Sequence, residues 1–149
     1  MIQRIQSIYL LLAAILMAVT AFSPVLVLNN EGLTLFSYGI KDADLMVKPT
    51  WGIVIIAGAG ALLSFVSIFM YRNRKRQGKM VLLSALFFVL YYLTAIIYLG
   101  SYFGGFPEGG ISTAAYGIVL PVIALIFLLL GYNAIRKDEK LVKSLDRIR

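Results

Sequence analysis

The sequence contains no cysteine and no histidine. Without cysteine there are no disulfides, no cysteine-held iron–sulfur clusters and no c-type haem attachment. Without either residue there is no Cys/His zinc site. The missing histidine also removes the usual acid–base group near neutral pH. Charge is scarce as well: 14% of residues are charged, against about 25% in a soluble domain. The acids number seven. A carboxylate-only Mg²⁺ or Ca²⁺ site is the one metal chemistry left open. A hydrolase needs a nucleophile with a base beside it. Only Asp42, Asp44 or Glu108 is placed to act as that base, and no spacing supports it. The reading is therefore of a non-enzymatic protein, with no catalytic, cofactor or metal residues to assign.

Hydrophobic residues, in contrast, make up 60% of the 149 positions. A soluble fold of this length cannot hide so much apolar surface, whereas helices in lipid face it directly. A membrane-spanning helix needs about 20 mostly apolar residues. Four segments qualify: 5–23 (extending toward Leu28), 51–71, 80–103 and 113–132. None contains Asp, Glu, Lys or Arg. The pattern predicts an all-α membrane protein, a single domain built as a four-transmembrane-helix bundle.

The charges sit in the connections and are shared unevenly. Arg4, the five cations of 72–79 and the six of 136–149 make 12 basic residues against three acids on one side, a net +9. The other side holds Lys41 and Lys48 against Glu31, Asp42, Asp44 and Glu108, a net −2. Positive charge marks cytoplasmic segments. This predicts both termini and a loop at 72–79 in the cytoplasm, with outer loops at 24–50 and 104–112. Arg4, the apolar run after it and Ala18-Val19-Thr20-Ala21 also fit the outline of a signal peptide. The run is long for such a peptide's hydrophobic region, which favours a retained span.

Pro24 is placed to end or kink the first helix. After it, Val25–Leu28 and Leu33–Tyr38 flank Asn29-Asn30-Glu31-Gly32. Two β-prone runs around an Asn/Gly turn predict a small β-hairpin in the first outer loop. An irregular loop is the alternative. Four glycines and a proline within Gly104–Gly110 predict a second outer loop without a regular element.

In the second span, Ala57/Ala61 and Gly60/Ser64 are small residues four apart, a spacing that lets helices approach closely. Another span of the same chain is the expected partner, and homodimerisation is the sharper alternative. The third span carries Tyr91 and Tyr92 near its middle. Their hydroxyls require partners, such as a backbone carbonyl, Thr94, Ser84 or Ser64. A lipid or quinone pocket at these tyrosines is a further reading. Tyr102 and Phe103 fall where an outer aromatic belt is expected.

Ion and proton pathways typically use ionisable groups inside the membrane. Their absence here argues against a proton-coupled transporter or pump. An oligomeric small-solute transporter or channel, using Ser64, Ser67 and Ser84, is the surviving alternative of that class. Arg72, Arg74, Lys75, Arg76 and Lys79 are candidates for contact with anionic lipids of the bilayer or with a partner. No DNA partner is expected. RNA contact, for example with a docked ribosome, has only electrostatic support, because no aromatic interleaves these cations. The tail 133–149 reads as an amphipathic basic helix, with Leu141, Val142, Leu145 and Ile148 on one face and Glu139/Lys143 as an i,i+4 pair. A solvated extension of the fourth span is the plainer alternative.

The opening words Met1-Ile2-Gln3-Arg4-Ile5-Gln6-Ser7-Ile8-Tyr9-Leu10-Leu11-Leu12 and the closing run from Ala134 through Asp138-Glu139-Lys140-Leu141-Val142-Lys143 to Arg149 are distinctive. They resemble a bacterial family of small four-span membrane proteins filed as domain of unknown function four-two-nine-three. The resemblance implies a bacterial inner-membrane location and no assigned activity. The expectation is an accessory or assembly subunit of a larger inner-membrane complex with membrane-protein partners. A protein-export or insertion machine is one candidate host.

Overall fold

The computed structural model describes residues 2–28, 33–42, 45–103 and 111–146. It contains four helices: α1 (Ile2–Thr20), α2 (Trp51–Phe69), α3 (Arg74–Phe103) and α4 (Tyr116–Asp146). α1 packs on α2 and α4, and α3 packs on the same two, so the helices close into a ring of four. Three of them are long and apolar enough to cross a membrane: Trp51–Phe69, Arg74–Ser101 and Tyr116–Val142. The apolar stretch of α1, Ile5–Thr20, is shorter.

Each helix turns one narrow seam inward. The buried positions include 6, 10, 13, 17 and 20 on α1, with Ala14 beside them, and 53, 57, 60, 64 and 67 on α2. On α3 they include 77, 81, 84, 88, 91 and 95, and on α4 117, 121, 124, 128, 131 and 135. Steps alternate between three and four residues, the spacing of helices that wind round one another with a left-handed supercoil. Large apolar side chains on all four helices, Ile8 and Ile15, Ile55 and Leu62, Leu86 and Ile97, Ile126 and Leu130 among them, face outward. In water that arrangement would be untenable, and in lipid it is the expected one.

One end of the bundle is closed by an antiparallel sheet of β1 (Pro24–Leu28), β2 (Thr34–Phe36), β3 (Gly39–Asp42), β4 (Leu45–Pro49) and β5 (Ile111–Ala114), in the order β4-β3-β2-β1-β5. β1 and β2 form the hairpin expected from the sequence, with Val27 opposite Thr34. Its turn, Asn29–Gly32, lies outside the described residues. The expectation of one hairpin was too small. A tight turn at Ser37-Tyr38 returns the chain as β3, and β4 adds a fourth strand. β5 then pairs with the free edge of β1, Val27 opposite Thr113.

Several expected boundaries shift for local reasons. α1 stops at Thr20, not at Ser23 or beyond, because the chain turns over Ala21–Ser23 and Pro24 opens a strand. The fourth helix starts at Tyr116, not Thr113, because Ile111–Ala114 is drawn into the sheet. The same pairing places a strand across the end of the expected second outer loop; Gly104–Gly110 lies outside the described residues. The expected loop at 72–79 is mostly helix. Only Met70–Asn73 turns, and Asn73 Oδ1 accepts from the Arg76 N–H at 3.3 Å, capping α3. The expected tail helix is continuous with the fourth span as α4. At 30 and 31 residues, α3 and α4 each reach about 45 Å, roughly 15 Å beyond a hydrocarbon core. α3 begins with, and α4 ends in, basic residues at the end opposite the sheet.

Candidate functional site

The interior is not uniformly apolar. Six polar side chains lie in the inward seams (Gln6, Thr20, Ser64, Ser67, Gln77 and Ser84), and all are buried. Gly60 lets α3 approach: a Cβ there would stand 3.0 Å from the Phe88 ring. Its carbonyl accepts from Ser64 Oγ and from Ser84 Oγ, each at 2.9 Å. The two hydroxyls also lie 2.5 Å apart, so two protons are shared among three oxygen contacts. The ladder continues toward the basic end. Ser67 Oγ donates to Ser64 O at 2.6 Å, and Gln77 Nε2 donates to Ser67 O at 3.0 Å. Gln6 Nε2 donates to Ala134 O at 3.1 Å, tying the start of α1 to α4.

The small-residue face of α2 is thus occupied from within. Ala57, Gly60 and Ser64 are buried, with Gly60 and Ser64 directly against α3. Ala61 instead lines an apolar groove of about 480 Å³ between α1 and α2, with Ala14, Ala18 and Gly58. Of the face offered for homodimerisation, Ala57, Gly60 and Ser64 are therefore not free for a second copy, whereas Ala61 is open to the groove.

At the sheet end, the Ser37 turn enters the bundle. Ser37 Oγ donates to Thr20 O at 2.7 Å, so the Tyr91 hydroxyl, 2.9 Å away, is the donor to Ser37 Oγ. Thr50 Oγ1 donates to Ser37 O at 3.0 Å. The Tyr92 hydroxyl donates to Ile118 O at 2.5 Å. Of the partners the sequence offered to the two tyrosines, Tyr92 uses a backbone carbonyl, whereas Tyr91 uses neither a carbonyl nor Thr94, Ser84 or Ser64. Thr94 bonds its own helix at Leu90 O, and Ser84 and Ser64 bond each other. The cause is non-local: only the sheet brings Ser37 over the bundle axis. Both tyrosine hydroxyls offered for a quinone or lipid pocket are engaged inside the chain. The side chains of Tyr102 and Phe103 are not among those described.

A family model described as Domain of unknown function (DUF4293) matches residues 2–148. The chain belongs to this family. No curated protein and no solved structure matches it.

In this family member, exposed cations cluster at the end opposite the sheet. Arg74 Nη2 lies 3.2 Å from Asp138 Oδ2, and Arg74 Nη1 donates to Asp138 O at 3.0 Å. This pair fastens the α2–α3 turn to the extension of α4. Beside it a cleft of about 500 Å³ brings together Tyr71, Arg72, Arg74, Lys75, Glu139 and Val142. Arg76, Lys79 and Leu141, candidates of the same class, are exposed but do not line it. The Leu145 side chain and Ile148 lie outside the described residues. The Arg136 guanidinium sits 5.6 Å from the Tyr132 ring centroid, a cation–π contact. Among the described residues no three side chains of metal-ligating type come together.

Sequence reading passed over Gln6, Gln77, Asp138 and Tyr71. The two glutamines lie on the three-four spacing of their helices' buried seams, each at the end of an otherwise apolar span.

Proposed function

We propose that this chain is a non-enzymatic four-span membrane protein, an accessory or assembly subunit of a larger complex in the bacterial inner membrane. One observation carries the reading: the interior polar groups are neutral and engaged with one another (Ser64 and Ser84 with Gly60 O, Gln77 with Ser67 O, Tyr91 with Ser37). An interior of this kind holds helices in register and offers no ionisable group to a transport or catalytic cycle.

In this reading α1 is the fourth span. Its 19 residues reach about 28 Å, close to the roughly 30 Å of a hydrocarbon core. Ile5, Ile8, Leu11, Ile15 and Val19 line its exposed face. On α2, exposed Trp51 and Phe69 stand at opposite ends of the helix, as interfacial aromatics do. The net +9 at the end holding Gln6, Arg74 and Asp138 supports a cytoplasmic position for that end and both termini, since positive charge favours that side. The sheet then lies outside. Cytoplasmic cations and the long α3 and α4 extensions supply the surface for partners. A protein-export or insertion machine is one candidate host, suggested by the basic face alone.

The test is gentle detergent extraction of the tagged chain from its native membrane, followed by affinity purification. Stoichiometric co-recovery of a second membrane protein is the expected result. Recovery of a solitary monodisperse species would count against the subunit assignment.

A further inference from the structure

We propose that the basic end carries a binding site for an anionic phospholipid, seated across two clefts that meet at Tyr71. The inference rests on the membrane placement above, not on the existence of a partner complex. The first cleft is the cationic one of about 500 Å³ between the α2–α3 turn and the α4 extension. The second, of about 510 Å³, lies between α1 and α2 and shares Tyr71 with the first. Its polar lining is Ser7 with the deeper Gln6 and Gln77, and Ile8, Ile68 and Phe69 complete it toward the apolar wall.

The charges around the first cleft select the ligand. Arg74 is committed to Asp138, and Glu139 has an interaction of its own. Arg72 and Lys75 are exposed and make no ion pair among the described residues. Counting Arg72, Arg74 and Lys75 against Asp138 and Glu139 leaves a net +1, matched to the single charge of a phosphodiester. The second cleft extends the match. Gln6 and Gln77 each spend an amide N–H on a backbone carbonyl. Their amide oxygens remain as acceptors for a hydroxyl donor such as glycerol. Beyond them, Ile8, Ile68 and exposed Phe69 lead onto the outer helix wall, where an acyl chain lies against apolar side chains. A phosphate at Arg72 and Lys75, a glycerol near the glutamines and a chain along Phe69 form one amphiphile in a continuous path. A free inorganic anion uses the first cleft and has nothing to place in the second.

The test uses the purified full-length chain in neutral detergent, with retained lipid read by native mass spectrometry. The probes are phosphatidylglycerol, phosphatidylcholine and inorganic phosphate. Two variants carry the comparison: R72Q/K75Q in the cleft, and R76Q/K140Q, which removes the same charge from exposed positions off it. A cation at the bilayer surface is worth enough that losing two weakens binding about 30-fold. The expected result is selective retention of phosphatidylglycerol over phosphatidylcholine, lost about 30-fold in R72Q/K75Q and changed by less than about threefold in R76Q/K140Q. Inorganic phosphate at millimolar concentration is expected not to displace the lipid. Equal losses in the two variants would reduce the site to general surface charge and overturn the proposal. So would equal retention of phosphatidylcholine, or displacement by inorganic phosphate. The measurement is made on the isolated chain, so failure of the subunit assignment leaves its outcome unaffected.

Discussion

Gly117 and Gly58 pose the same substitution in opposite surroundings, and together they test how the bundle is assembled. Gly→Ala inside a helix is favoured by intrinsic propensity by up to about 1 kcal/mol. At Gly58 nothing lies within 4 Å of the position a Cβ would take. Gly58→Ala is therefore expected to be neutral or stabilising by up to about 1 kcal/mol. At Gly117 the added Cβ would stand 2.2 Å from the Pro24 carbonyl oxygen and 2.9 Å from its carbon, below the 3.0 Å that real Cβ atoms keep. These are backbone atoms of β1, itself held between β2 and β5. Neither side can yield by rotating a side chain. The start of α4 must back away from β1. Overpacking of this kind costs about 1–3 kcal/mol, which outweighs the propensity gain. The net expectation is a loss of about 1–2 kcal/mol. For a chain of this size 1 kcal/mol corresponds to about 2–4 °C, so Gly117→Ala should lower Tm by about 2–8 °C. Thermal unfolding in detergent, followed by fluorescence-detected size exclusion, reads both variants in one assay. A Gly117→Ala protein that melts at or above the parent temperature would refute the close contact between α4 and β1.

Three further outcomes follow from the polar interior and the charge asymmetry. A double-mutant cycle on Ser64→Ala and Ser84→Ala should give a coupling of about 0.6 kcal/mol, with an upper bound near 1.7; strict additivity would mean the two hydroxyls do not share the Gly60 carbonyl. Tyr91→Phe removes the proton donated to Ser37 Oγ and should cost about 1 kcal/mol, or about 2–4 °C in Tm; an unchanged Tm would dissociate the Ser37 turn from α3. Because the chain has no cysteine, single-cysteine labelling reports topology directly. Asn73→Cys and Ser144→Cys should react with an impermeant maleimide only after the membrane is opened, and Lys48→Cys should react in intact cells. Labelling of all three from the same side would falsify the placement of sheet and basic end on opposite faces.

The positions of the helices were largely legible in the sequence, because an uncharged run of about 20 residues has few fates other than a membrane helix. The concentration of cations at one end was legible for the same reason, charge being confined to the connections. The β1–β2 hairpin was also readable, since Asn-Asn-Glu-Gly between β-prone runs acts locally. The rest depended on contacts between distant parts of the chain. In these helices apolar residues stand on every side, so hydropathy does not tell core from lipid face. The inward seam mixes large apolar residues such as Leu10, Ile53, Phe88 and Leu128 with small and neutral polar ones, and only packing shows that Gln6, Ser64, Gln77 and Ser84 belong to it. The residues of strand β5 were divided between the second outer loop (to 112) and the fourth span (from 113) because Ile111–Ala114 carries no strong signal of its own; the open edge of β1, some 85 positions earlier in the chain, decides its state. Among the cations, spacing treated Arg72 through Lys79 as one loop. Asn73 begins a helix within it, the Arg74–Asp138 pair draws α4 alongside, and the result separates Arg72 and Lys75, at the cleft, from Arg76 and Lys79, away from it. Local sequence thus determined which segments leave water and which end is basic. Tertiary structure decided which polar groups meet, because hydrogen bonds and ion pairs depend on distances that only the closed bundle sets.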